Sequence, residues 1–141
     1  MSPIVVRIII ALVLFIHGVG HVMAFFPAFG ISSTETWHAR SWLLTSFIGD
    51  SASKVILVIL FGAALLGFVG AAFALMGWLV PHDAWRMLSI VSAAISLVAI
   101  VLYWNSFASL FPNKIGAIAV DVAVFVCLLF LNWPSEADIG Y

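Results

Sequence analysis

Four apolar stretches, each near the ~20 residues that a bilayer core asks of a helix, dominate the chain. They run from about Ile4 to Phe26, Lys54 to Val80, Ala84 to Trp104 and Ile115 to Trp133. A water-soluble fold of 141 residues has no interior large enough for that much apolar surface. Composition agrees, with 65% hydrophobic and 8% charged residues against roughly half and a quarter in soluble domains. Mean hydropathy is +1.27. The expected fold class is all-α, an integral membrane four-helix bundle forming one transmembrane domain over residues 1–141. An even number of spans puts both termini on one side.

Breakers mark the ends of the stretches. Pro3 suits a first helical turn and Pro27 stops the first helix. Asp50 or Ser51 is placed to cap the second. Pro81-His82-Asp83 ends the second and caps the third. Phe111-Pro112-Asn113 interrupts the chain before the fourth, and Trp133-Pro134 ends it. Trp78, Trp85, Trp104 and Trp133 fall at these ends, where an aromatic belt belongs. The first stretch is too long for a signal-peptide core and lacks a small-residue cleavage site, so it reads as a retained helix.

The connection from Ala28 to Ser53 is the only long one. Ser32-Ser33-Thr34-Glu35 opens with a capping-box pattern, Ser32 to Glu35. Trp37, Ser41, Leu44 and Ile48 then repeat at helical spacing, with His38 and Arg40 largely elsewhere on the wheel. A short amphipathic helix from Ser33 to Ile48, flat in the headgroup layer, is the expectation. Trp37, His38, Arg40 and Trp42 would be its interfacial residues. An ordinary loop carrying scattered tryptophans is the alternative. Ala63, Gly67 and Ala71 on the second stretch face small residues of the third (Ser89 and Ala93, Ser92 and Ser96), a spacing that lets helix backbones approach closely in lipid.

Charge excludes some functions and leaves orientation open. The net charge is −1 with no run of like charges, so nothing is present to hold nucleic acid. Arg7 and Arg86 on one side balance Arg40, Lys54 and Lys114 on the other, which leaves no positive-inside bias. Cys127 is the one cysteine. A lone thiol inside an apolar run excludes a disulfide framework, a CxxC pair and a thiolate zinc site, and reads as packing.

Four ionisable residues lie within the stretches: Arg7, His17, His21 and Asp121. Charged groups in hydrocarbon are costly, so they face the bundle interior, pair, or serve a function. Arg7 lies about one turn inside and is expected to snorkel out. His17-Gly18-Val19-Gly20-His21 puts two imidazoles four apart on one helix face. Helical rise places His21 roughly 7–8 Å and His17 roughly 13–14 Å from the far end of the first stretch, and Asp121 roughly 9 Å inside the fourth. In a four-span protein those ends share a side, so Asp121 falls at a depth between the histidines.

Four readings of this cluster stay open. It locks two helices by hydrogen bonds, or it binds the head group of a quinone or similar amphiphile. It ligates a metal or haem, or it performs acid–base chemistry. Quinone ranks ahead of haem, because two histidines on one helix cannot ligate both faces of one haem. His17, His21 and Asp121 are accordingly the candidate ligand-binding residues, with none assigned to catalysis or to a metal.

Arg7, an apolar run and His17-Gly18-Val19-Gly20 opening a four-helix chain of this size resemble the DoxX-like family. The sequence departs from that family at His21, where a lysine is common. The resemblance implies membrane protein partners and a quinone, since founding members are small subunits of a quinone-reducing membrane oxidoreductase. The expected role is a non-catalytic membrane subunit or ligand-binding protein of a redox or energy-converting complex in a prokaryotic cytoplasmic membrane. A stand-alone membrane enzyme acting on a lipid-like substrate is the alternative, disfavoured by the scarcity of acid–base and nucleophilic residues. A channel is disfavoured because one polar cluster makes no continuous path.

Overall fold

The computed structural model describes residues 1–107, 111 and 113–141. Helix α1 spans Pro3–Gly20, tightens into a 3-10 turn over His21–Ala24 and continues as the short α2, Phe25–Ala28. Helix α3 is Leu44–Leu75 and α4 is Trp85–Leu102. Helix α5, Ile115–Phe125, widens into a π-helical turn over Val126–Phe130, and a last turn, α6, spans Glu136–Ile139. No strand forms among the described residues. Pro3–Ala28, Leu44–Leu75 and His82–Leu102 are long and apolar enough to cross a membrane, and Ile115–Phe130 is apolar but shorter.

Helix α3 packs against both α1 and α4, and α4 against α5. Phe68, Ala71 and Leu75 of α3 meet Leu14 of α1 and Trp85 and Ala93 of α4 in one core cluster. Small residues set the spacing. A Cβ added at Gly18 would stand 2.9 Å from the Cβ of Phe68. One added at Gly67 would overlap the Ser92 hydroxyl, so the α3–α4 approach runs along the expected small-residue faces. Ala63 does not join them and is exposed. The outer surface is apolar, with Ile16, Leu66 and Val101 each more than half exposed. Lipid tolerates such a surface and water does not.

Several boundaries differ from expectation. The second helix starts at Leu44, before Lys54, because the Ser41 hydroxyl accepts from the Leu44 N–H at 3.0 Å. Gly49 (φ 81°, ψ 169°), in a backbone conformation that glycine alone adopts without strain, interrupts it and separates residues 44–48 from 50–75. Asp50 and Ser51 therefore head the helical segment after the break, the position expected of them, and the Asp50 carboxylate pairs with Arg40 at 3.2 Å. The helix ends at Leu75, and the chain turns through Gly77 (φ 71°) before a 3-10 turn at His82–Ala84 that gives α4 no side-chain cap. Helix α5 does not continue regularly to Trp133. The guanidinium of Arg86 closes that end by donating to the carbonyls of Leu128 (3.0 Å) and Pro134 (2.7 Å) and to Asn132 Oδ1 (2.8 Å). The expected break at Phe111-Pro112-Asn113 falls partly outside the described residues, at Pro112.

The expected interfacial helix from Ser33 to Ile48 forms only in its last turn, from Leu44. Thr34 and Trp37 close a tight turn instead of a capping box. Tertiary partners then claim the backbone donors a helix would use. His38 N–H donates to the Ser106 carbonyl at 3.2 Å and Trp42 N–H to Asn105 Oδ1 at 2.9 Å. The Trp42 indole donates to the Val101 carbonyl at 2.8 Å, so the connection is fastened to the end of α4. A true capping box does occur, between Ser135 and Asp138 at α6. Trp85 is 1% exposed and belongs to the core, whereas Trp78, Trp104 and Trp133 are exposed as an aromatic belt requires.

Candidate functional site

His17 and His21 project from one face of α1, where the helix tightens. The His21 N–H bonds to the Gly18 carbonyl, as a 3-10 turn requires. The His17 carbonyl, four residues back, receives His21 Nδ1 instead, at 2.9 Å. The sequence thus uses one imidazole to close the turn that positions both. Gly18 lets α1 settle on α3, and Phe68 of α3 meets the His17 ring edge-on with centroids 4.6 Å apart. The two imidazoles are also edge to face, at 5.0 Å.

Asp121, wholly buried on α5, joins the two histidines. Its Oδ1 lies 2.8 Å from Nε2 of His17. Its Oδ2 lies 2.6 Å from the hydroxyl of Ser96 on α4. That hydroxyl is 2.9 Å from Nε2 of His21. Helical rise along α1 and α5 anticipates the His17–Asp121 contact. His21 reaches Asp121 only through Ser96, a residue sequence reasoning assigned to helix packing alone.

A pocket of about 440 Å³ opens beside the histidines. Its walls include Ile16 and Met23 on the α1 side, Phe61 from α3, Ile100 from α4, Ala117 and Val120 from α5, and Phe107 and Asn113 from the connection between α4 and α5. That volume lies within the range of small-molecule sites. His17 is 8% exposed by side chain and lines the pocket. Among the described residues its Nδ1 has no hydrogen-bond partner, while Nε2 of His17 and both nitrogens of His21 are engaged. One free imidazole nitrogen in a mostly apolar pocket suits one hydrogen bond to a head group. It is a poor start for a metal site, and no group of three histidine, cysteine or acidic residues gathers among the described residues.

The other sequence candidates lie apart from this cluster. Arg7 is half-buried, with its guanidinium 4.8 Å above the Tyr141 ring. Trp37 packs on Phe26 with centroids 5.9 Å apart. His38 accepts from the Arg40 N–H at 3.2 Å through Nδ1. Burial, and after it the positive charge of Arg40, hold the His38 imidazole below its ordinary value. At α6, the Ser135 backbone N–H, and then its hydroxyl, hold the Asp138 carboxyl below the usual carboxylate range. No family model, no curated protein and no solved structure matches this chain.

Proposed function

We propose that this chain is a four-span membrane protein whose pocket binds an amphiphile by its head group, as a subunit of a redox or energy-converting complex. The observation that supports this reading is the unpaired Nδ1 of His17, on a ring that lines a mostly apolar cavity shared with His21 and Asn113. A quinone-type ring fits that description. His17 would hold its oxygen, Phe61, Ile100 and Val120 would enclose the ring, and a prenyl tail would leave toward lipid. Bound there, the ring would supply the redox chemistry, and the chain would supply position and a dry environment. The subunit role and the prokaryotic cytoplasmic membrane rest on the DoxX-like resemblance.

Extraction of native membranes in mild detergent tests both parts. The expected result is co-migration with other membrane subunits and an apolar ligand in the organic extract of the purified protein. An Ala117→Phe variant, which fills the pocket from α5, should come out folded and without that ligand. A chain that purifies alone and carries no lipophile beyond bulk lipid overturns the proposal.

A further inference from the structure

Distances at the cluster dictate how many protons it holds. A carbonyl oxygen can only accept, so His21 Nδ1, 2.9 Å from the His17 carbonyl, carries a hydrogen. Two further links, Asp121 Oδ2 to Ser96 at 2.6 Å and Ser96 to His21 Nε2 at 2.9 Å, need one hydrogen each. Without it, two lone pairs would face each other inside a buried site. Ser96 supplies one hydrogen. The other sits either on the Asp121 carboxyl, with His21 neutral, or on His21 Nε2, with Asp121 a carboxylate. Both arrangements contain the same protons and both are electrically neutral, which is what an apolar interior favours.

His17 stands at the remaining carboxyl oxygen, 2.8 Å away, and Oδ1 accepts in either arrangement. Nε2 of His17 therefore carries its hydrogen. A further proton on His17 would give the cluster a net positive charge, with the His21 ring only 5.0 Å away. A neutral His17 leaves a lone pair on Nδ1, in a ring that lines the pocket.

We propose that the pocket selects a head group that donates a hydrogen bond, such as a phenolic or quinol hydroxyl, over one that only accepts. This rests on the ligand-site reading above. Ser96 acts as a positioning residue, because its two links keep the shared proton away from His17. Without Ser96 the proton's best place is His17 beside the Asp121 carboxylate, and Nδ1 becomes a donor.

The test compares two probes of equal tail, para-dodecylphenol and para-dodecylacetophenone, titrated into the full-length protein in nanodiscs. The wild type should bind the phenol about tenfold more tightly, the ratio one hydrogen bond is worth. Ser96→Ala should reverse the order. Asp121→Asn should keep it, because an amide accepts from His17 and donates to Ser96 as a neutral carboxyl does. Equal or tighter ketone binding by the wild type overturns donor selection and leaves the ligand site standing. Unchanged preference in a folded Ser96→Ala overturns the shared proton. Binding of neither probe overturns the selection together with the ligand-site reading. Should Ser96→Ala fail to fold, the wild-type and Asp121→Asn ratios still decide.

Discussion

Asp121 must receive one hydrogen bond and share another, and it does not need a negative charge to do so. Asn meets both needs in the same volume, so Asp121→Asn should unfold in detergent within a few degrees of the wild type. Asp121→Leu leaves the His17 N–H and the Ser96 hydroxyl without their partner, at a cost of about 1–3 kcal/mol for each buried group. Thermal unfolding of the two variants side by side reads the difference. An Asn variant as unstable as the Leu variant would mean that the carboxylate charge itself holds the helices. At this scale the sequence was informative where polar groups are rare. His17, His21 and Asp121 stand out because hydrocarbon penalises them, and a constant helical rise converts their positions into depth. Ser96 was not legible, since a serine on a small-residue face serves packing and hydrogen bonding equally well. Trp85 misled for a related reason: an indole near a helix end suits either the headgroup layer or the core, and only its neighbours decide.

Helices make contact here through positions that carry almost nothing. Gly18→Ala adds a methyl 2.9 Å from a β-carbon that cannot swing away, so α1 must lift from α3. Overpacking of this kind costs about 1–3 kcal/mol. It should also loosen the His17–Phe68 contact, which a lowered unfolding temperature and altered His17 ring resonances would report. The 29–43 connection offers a pH test outside the membrane. Neutral His38 accepts from the Arg40 N–H, and its folded value lies below that of the unfolded chain. The unfolded connection therefore binds the proton more readily, and stability rises with pH. Attachment should be complete above the ordinary imidazole range and weaken as pH falls through it toward the lowered folded value. Amide hydrogen exchange over 29–43 measures this, and His38→Gln should flatten the dependence. The periodicity in this stretch was real, but α4's end offered its backbone donors better partners than a helix would have. Such competition is invisible to a pattern read along one segment.

For the molecule as a whole, hydropathy located the apolar helices, because hydrocarbon demands length and apolarity together. It could not see that Arg86 and the π turn shorten the regular part of α5. Eleven α-helical and five π-helical residues rise at most about 24 Å, against a hydrocarbon core of about 30 Å. The part of α3 beyond Gly49, residues 50–75, still has length to spare. Unfolding measured in nanodiscs of increasing acyl length should show stability falling in the thicker bilayers, and stability independent of thickness would mean that α5 does not face lipid. Where α5 does, the leaflets must pinch inward along one flank of the protein while staying relaxed along the other. Such a dimple has an elastic cost that shrinks when two are merged. A neighbour with an equally short wall would then be drawn to that flank by the sheet itself, before any side chain of either protein had touched the other.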